Sequence, residues 1–272
     1  MSAHLEVSSL HIEEGIAIFT HQHPASRNAM SEALRKDYMR MLEQVRTNRQ
    51  IRVLILQGSE GAFCSGGNIH EMAQRHADPQ TSSPMATRQR LDHSSSWLRQ
   101  LLELDALLIA SVDGAAAGAG FSLALHADFI LCSARSRFRM SFPRVGAVAD
   151  FGAHYLLPRM VGLSVARDLL LTGRSLTAAQ ARRLGLVHAV HPSEHLATAS
   201  LAFARRLLEG PPEALALSKR LLNLSFDMNY GALSNLEALS QAVSMSTRYH
   251  QDCVQQFQAG QTLAYDWDRQ EK

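Results

Sequence analysis

Ala62-Phe63-Cys64-Ser65-Gly66-Gly67-Asn68-Ile69-His70-Glu71-Met72 follows the apolar run Val53-Leu54-Ile55-Leu56, and this stretch decides the reading of the chain. A second glycine-rich stretch, Asp113-Gly114-Ala115-Ala116-Ala117-Gly118-Ala119-Gly120-Phe121-Ser122, follows Leu107-Leu108-Ile109-Ala110-Ser111-Val112 in the same way. Each puts glycines where a strand ends and a helix begins. The first N–H groups of a helix lack intrahelical acceptors, and its peptide dipoles add partial positive charge, so a developing anion can be held there without a charged side chain. Two such turns face to face predict an oxyanion hole.

Outward from these turns the pattern alternates. Residues 5–12 and 15–20 read as a hairpin around Glu13-Glu14-Gly15, and residues 31–45 as a helix with Ser31 as N-cap. Strands are expected near 52–57, 107–112, 128–133 and 187–190, with helices between them, which predicts an α/β core with substantially parallel pairing. Residues 73–84 read as a polar loop. Thr177-Ala178-Ala179-Gln180 fits a capping box, with Gly185 just past that helix's end. Beyond Gly210-Pro211-Pro212, leucines 215, 217, 221, 233, 236 and 239 recur at helical spacing with no further strand run.

The chain has 272 residues and is 46% hydrophobic, enough for a sizeable core. Its net charge of +2, from 27 basic and 25 acidic residues without like-charge runs, argues against nucleic acid or a membrane as main partner. Cys64, Cys132 and Cys253 lack the paired spacing of a metal site or disulfide framework, so a reducing compartment and no metal are expected. No apolar run approaches a membrane span, the start is acidic too early for a transit peptide, and Gln270-Glu271-Lys272 is not a peroxisomal address. Together these predict a cytoplasmic protein.

Residues 62–72 resemble the first signature of the crotonase (enoyl-CoA hydratase/isomerase) family, and residues 113–128 are similar to its second. His23-Pro24-Ala25-Ser26-Arg27-Asn28-Ala29-Met30 resembles the early CoA-binding segment, and residues 146–162 and 171–187 continue the likeness in family order. The resemblance implies a crotonase-like (ClpP/crotonase) spiral of ββα units with a C-terminal helical region. It divides the chain into an α/β core with the CoA and acyl site, residues 1–204, and a helical oligomerisation region, residues 205–272, forming homotrimers or homohexamers. It also implies an acyl-CoA substrate of the kind met in fatty acid metabolism, with CoA as part of the substrate and no separate cofactor.

Carried over motif by motif, the resemblance makes the Ser65 and Ala119 backbone N–H groups the oxyanion donors, with Gly66, Gly67, Gly118 and Gly120 allowing close approach. Ala25, Arg27, Cys64, Asn68 and Ile69 fall in stretches that contact CoA, and Phe257 stands where a neighbour's CoA is covered. Typical hydratases place two glutamates where this chain has Ser122 and Phe142, and neither can act as a proton-transfer base. One acidic residue, Asp150 in Val145-Gly146-Ala147-Val148-Ala149-Asp150-Phe151-Gly152, resembles the proton-shuttling carboxylate of family isomerases. Asp150 also suits the N-cap of a helix starting near Phe151; His154, four residues on, reads as a packed or solvated histidine rather than one that tunes Asp150, and Arg144 as a surface charge rather than a contact to a polar acyl group.

The leading expectation is therefore an enoyl-CoA double-bond isomerase using Asp150. The alternatives are an atypical enoyl-CoA hydratase or lyase, another enolate-forming CoA enzyme such as a dehalogenase or cyclising enzyme, and a non-catalytic CoA-binding protein. A hydrolase is a further class, because Gly120-Phe121-Ser122-Leu123-Ala124 superficially resembles a serine nucleophile turn.

Overall fold

The computed structural model describes residues 2–268; the terminal Gln270-Glu271-Lys272 and the end of the expected 205–272 region lie outside the described residues. The chain opens with β1 (Ser2–His4), β2 (Ser8–Glu13) and β3 (Ile16–His21), paired antiparallel, with β2 and β3 forming the expected hairpin. Helix α1 (Glu32–Thr47) follows, and Ser31 caps it by accepting the Leu34 N–H at 3.1 Å. Then come β4 (Val53–Gly58), β5 (Ala62–Cys64), α2 (Ile69–Ala77) and α3 (Pro84–Leu102).

The strand–strand–helix unit repeats as β6 (Leu107–Val112), β7 (Ala115–Ala117) and α4 (Ala119–Ala124), and again as β8 (Phe129–Ser133), β9 (Arg137–Arg139) and α5 (Ala153–Thr172). The first strand of each unit, β4, β6 or β8, enters a large sheet with parallel partners. The second strand, β5, β7 or β9, enters a smaller one. After β10 (Ser175–Thr177), α6 (Ala178–Arg183) and β11 (Ala189–His191), the sheet orders are β1-β2-β3-β4-β6-β8-β11 and β10-β9-β7-β5. The fold is the expected α/β spiral of ββα units.

Period-2 geometry sends alternate residues of the central strands into two cores. Leu54, Leu56, Leu108 and Ala110 face the main core, which also receives Trp97, Tyr38 and Phe121. Val53, Ile55, Leu107 and Ile109 face α7 (Leu196–Leu208), which contributes Leu196, Ala204 and Leu207. The expected boundary at 204/205 thus falls inside a continuous helix seated on the sheet. Helix α8 (Pro212–Leu224) is tied down by Lys219, whose Nζ lies 2.8 Å from Asp128 and 2.9 Å from the Ala106 carbonyl. Helices α9 (Tyr230–Met245) and α10 (Arg248–Gln258) bury no residue and expose Leu239, Val243 and Phe257.

The polar loop expected at 73–84 is shorter than that. Residues 73–77 complete α2, because Asn68 caps the helix by accepting the His70 and Glu71 N–H groups and Arg75 pairs with Glu71 across one turn at 3.3 Å. A half-exposed helix of this kind needs no apolar face to persist. The Thr177–Gln180 capping box forms as expected, and Gly185 lies just past α6 with φ +78°. No helix among the described residues is long and apolar enough to cross a membrane.

Candidate active site

Parallel pairing of β5 with β7 brings the two glycine turns together. A Cβ on Gly66 would lie 2.7 Å from the Ala117 carbonyl oxygen, and one on Gly120 would lie 2.3 Å from that of Cys64. Only hydrogen fits at either position, and Gly66 also holds φ +100°. The turns are pinned from the other side by residues 23–28. The buried Asn28 amide donates to the Ala62 and Ser59 carbonyls at 2.6 and 3.0 Å, while its oxygen accepts the His23 N–H at 2.9 Å.

That anchoring corrects one expected donor. The Ser65 N–H donates to the Arg27 carbonyl at 3.1 Å, and its hydroxyl to the Ser26 carbonyl at 3.0 Å, so Ser65 fastens the turn and has no free amide. The Gly66 N–H faces the Cys64 sulfur. Next along the loop, the Gly67 N–H has no acceptor among the described residues. Across from it, Ala119 begins α4 behind the N-cap Gly118, which leaves its N–H outside the helical ladder. The structure therefore offers one donor from each turn, with Gly67 in place of Ser65.

Cys64, in the stretch expected to contact CoA, offers the outside no side chain. Its thiol is fully buried, and burial pushes its pKa up to about 11. The Asn68 side chain is spent on capping α2, whereas Ile69, Ala25 and Arg27 are exposed around the turns. Arg27 holds a left-handed backbone (φ 53°) that points its carbonyl at Ser65.

Ser122 and Phe142 converge on Gly118. The buried Ser122 hydroxyl donates to the Gly118 carbonyl at 3.3 Å, and the Phe142 ring lies 3.9 Å from where a Gly118 Cβ would stand. His126 is neutral, its pKa lowered to about 4 by burial, and its Nδ1–H donates to the Ser122 carbonyl at 3.0 Å rather than facing the hydroxyl. Among the described residues the Ser122 hydroxyl meets the Gly118 carbonyl and the Met140 sulfur and no base, which counts against the serine-nucleophile reading.

Asp150 does not cap a helix. Phe151 (φ 54°) and Gly152 (φ 73°) are both left-handed, so α5 starts only at Ala153, with Gly152 as N-cap. The Phe151 ring packs edge-on against Trp97, with centroids 5.7 Å apart, and holds this unfavourable backbone in place. Asp150 is left partly buried, and its Oδ1 has no hydrogen-bond partner. Burial raises its pKa, opposed by the charges of Arg35 on α1 and Arg90 on α3. The sequence pattern gave no sign of these two arginines, which are far apart along the chain. His154, Arg144 and Phe257 are exposed.

A cavity of about 710 Å³ opens between α1, α2 and α3, with Arg35 and Arg90 in its wall. The described residues hold no cluster of three or more His, Cys, Asp or Glu side chains suited to a metal ion.

An Enoyl-CoA hydratase/isomerase family model matches residues 11–267. The 1,2-epoxyphenylacetyl-CoA isomerase of Escherichia coli is 32% identical over 78% of this chain and 80% of its own length. A probable enoyl-CoA hydratase of Rhodobacter capsulatus is 30% identical over 90% of this chain and 92% of its own. A crystal structure of an enoyl-CoA hydratase/isomerase from Cupriavidus metallidurans superposes with a TM-score of 0.92 at 36% identity, covering 99% of this chain and 100% of the other.

Proposed function

The chain belongs to the enoyl-CoA hydratase/isomerase family, and on that premise we propose that it moves a carbon–carbon double bond within an enoyl-CoA thioester. The thioester carbonyl oxygen accepts the Gly67 and Ala119 N–H groups. Asp150 takes a proton from C2 of a 3-enoyl thioester, the negative charge spreads onto the carbonyl oxygen as a dienolate, and the same carboxyl returns the proton to C4. The product is the conjugated 2-enoyl thioester. One carboxylate suffices for this shuttle, and the burial that raises its pKa brings it nearer the range in which it both accepts and returns a proton.

The observation that carries the reading is the unpartnered, buried Asp150 oxygen in a chain with Ser122 and Phe142 at the two other candidate positions. Glu71, the next carboxylate in the region, is already bound to Arg75 at 3.3 Å and to the Glu32 N–H at 3.2 Å. CoA lies along residues 25–27 and 66–69, where the Arg27 guanidinium suits a phosphate. Other copies of the chain cover the apolar faces of α9 and α10, as a trimer or hexamer.

The test is incubation of the purified protein with a panel of 3-enoyl-CoA thioesters, following 2-enoyl formation by absorbance beside a hydration assay on 2-enoyl-CoA. Isomerisation that Asp150→Asn abolishes supports the proposal, and hydration without isomerisation refutes it.

A further inference from the structure

The cavity between α1, α2 and α3 carries Arg35, Lys36, Arg75 and Arg90 in its wall against Glu32, Glu71 and Asp78. Arg75 is paired with Glu71 at 3.3 Å and Lys36 with Glu32 at 2.9 Å, yet Arg35 and Arg90 form no ion pair among the described residues. The Arg35 Nε is buried without a hydrogen-bond partner. Burial is the main cause that lowers the pKa values of Arg35 and Arg90; repulsion among Arg35, Arg75 and Arg90 adds to it, against the charges of Glu71 and Asp150. An unpaired, partly desolvated guanidinium is costly, and two of them converging on one cavity mark the place of an anion the chain does not supply.

Asp150 is not that anion, although its charge acts on both arginines. Its own Oδ1 stays unbonded, so neither guanidinium donates to it. Helix α2 joins the oxyanion turn to the cavity wall. Gly67 packs directly on Met72 of α2, where a Cβ would lie 2.2 Å from the Met72 Cε, and the same helix brings Arg75 to the cavity wall. Asp150 feels the charges of both arginines, so an acyl group reacting at Asp150 has its far end within reach of the same wall.

We propose that Arg35 and Arg90 bind a carboxylate at the far end of the acyl group, so that the substrates are CoA thioesters of unsaturated dicarboxylic acids. This rests on the acyl-CoA reading above and specifies its substrate class. A methyl terminus would desolvate both guanidinium groups and return no hydrogen bond, whereas a carboxylate accepts from the forked donors of each.

A terminal carboxylate and a CoA phosphate share the same oxyanion chemistry, and non-reactive ligands separate them. Calorimetric titration of the full chain with adipoyl-CoA, hexanoyl-CoA and free CoA compares two six-carbon acyl groups that differ only at the end. Adipoyl-CoA is expected to bind about tenfold or more tighter than hexanoyl-CoA. Arg90→Gln, at a half-buried position, removes that preference by weakening adipoyl-CoA and not hexanoyl-CoA, with free CoA unchanged, while Arg90→Lys restores part of it. Arg35→Gln, checked for folding by thermal melting, repeats the loss. Equal affinity of the wild type for the two thioesters overturns the proposal. So does an Arg90→Gln variant that weakens free CoA as much as adipoyl-CoA, since the arginine then serves a CoA phosphate. Because nothing turns over, failure of the isomerase reading appears only in the enoyl-CoA assay, and failure of this inference only in the titration.

Discussion

Asp150 combines a raised proton affinity with a free oxygen, and the two have one cause: the left-handed Phe151-Gly152 step delays α5 and leaves the carboxyl uncapped beneath the surface. Asp150→Asn is expected to lower kcat by about 10²–10⁴-fold without lowering the melting temperature. The carboxyl works as a base only when ionised, so kcat/KM falls as pH drops through its raised pKa. Arg90→Gln removes a positive charge that favours the ionised form, and the acid limb of the profile then moves to higher pH. An acid limb unmoved by that change would break the link. The carboxyl at 150 stood out in its local segment, whereas the left-handed step that leaves it uncapped did not. The donor next to Gly66 was misread by two residues, because only the folded chain reveals that the Arg27 carbonyl, 38 positions upstream, takes the Ser65 amide.

At the scale of elements, α4 meets β5 where Gly120 faces Cys64, and the first glycine turn meets β7 where Gly66 faces Ala117, with no room for a methyl group at either glycine. Gly120→Ala is expected to push α4 away from β5, costing about 2 kcal/mol or more in denaturant stability, with a larger fractional loss of kcat than of CoA affinity. Unchanged kcat would mean that the spacing of the two turns does not set the oxyanion hole. These elements were readable because a β-branched run ending in glycine has few other uses, and α1 because Ser31 precedes a helical apolar face. Helix α2 was not fully readable. Its last residues, Gln74, Arg75, His76 and Ala77, carry no apolar period, and the capping and the Glu71–Arg75 pair that sustain it depend on geometry rather than composition.

At the scale of the whole molecule, the core contains two neutral histidines. The His21 Nδ1–H donates to the Phe63 carbonyl at 2.8 Å, and its Nε2 accepts the Tyr38 hydroxyl at 2.7 Å, while burial lowers its pKa to about 4; His126 is lowered to about 4 as well. The unfolded chain protonates these rings below about pH 6.5, whereas the folded chain resists until about 4, so stability is lost as pH falls through that window. Each ring contributes on the order of 3 kcal/mol to the loss once pH is below both values. Urea midpoints at pH 7 and pH 5 check this, and equal midpoints would contradict it. The exposed Leu239 and Val243 on α9 give a second prediction: sedimentation finds trimers or hexamers, and Leu239→Glu with Val243→Glu yields monomers. A monomeric wild type would refute it. The spiral and its helical C-terminal region were legible from the order of strands and glycine turns. The placement of α7 across the sheet was not, since α7 lies about 90 residues beyond the β6 strand it covers.

The central claim is that one carboxyl moves a proton within the bound thioester. A 3-enoyl-CoA deuterated at both C2 positions, converted in ordinary water and analysed by mass spectrometry and NMR, tests it most directly. The account predicts 2-enoyl product with part of the lost deuterium recovered at C4 of the same molecule, and no conversion by Asp150→Asn. A product hydroxylated at C3, or isomerisation that proceeds undiminished in Asp150→Asn, would contradict it.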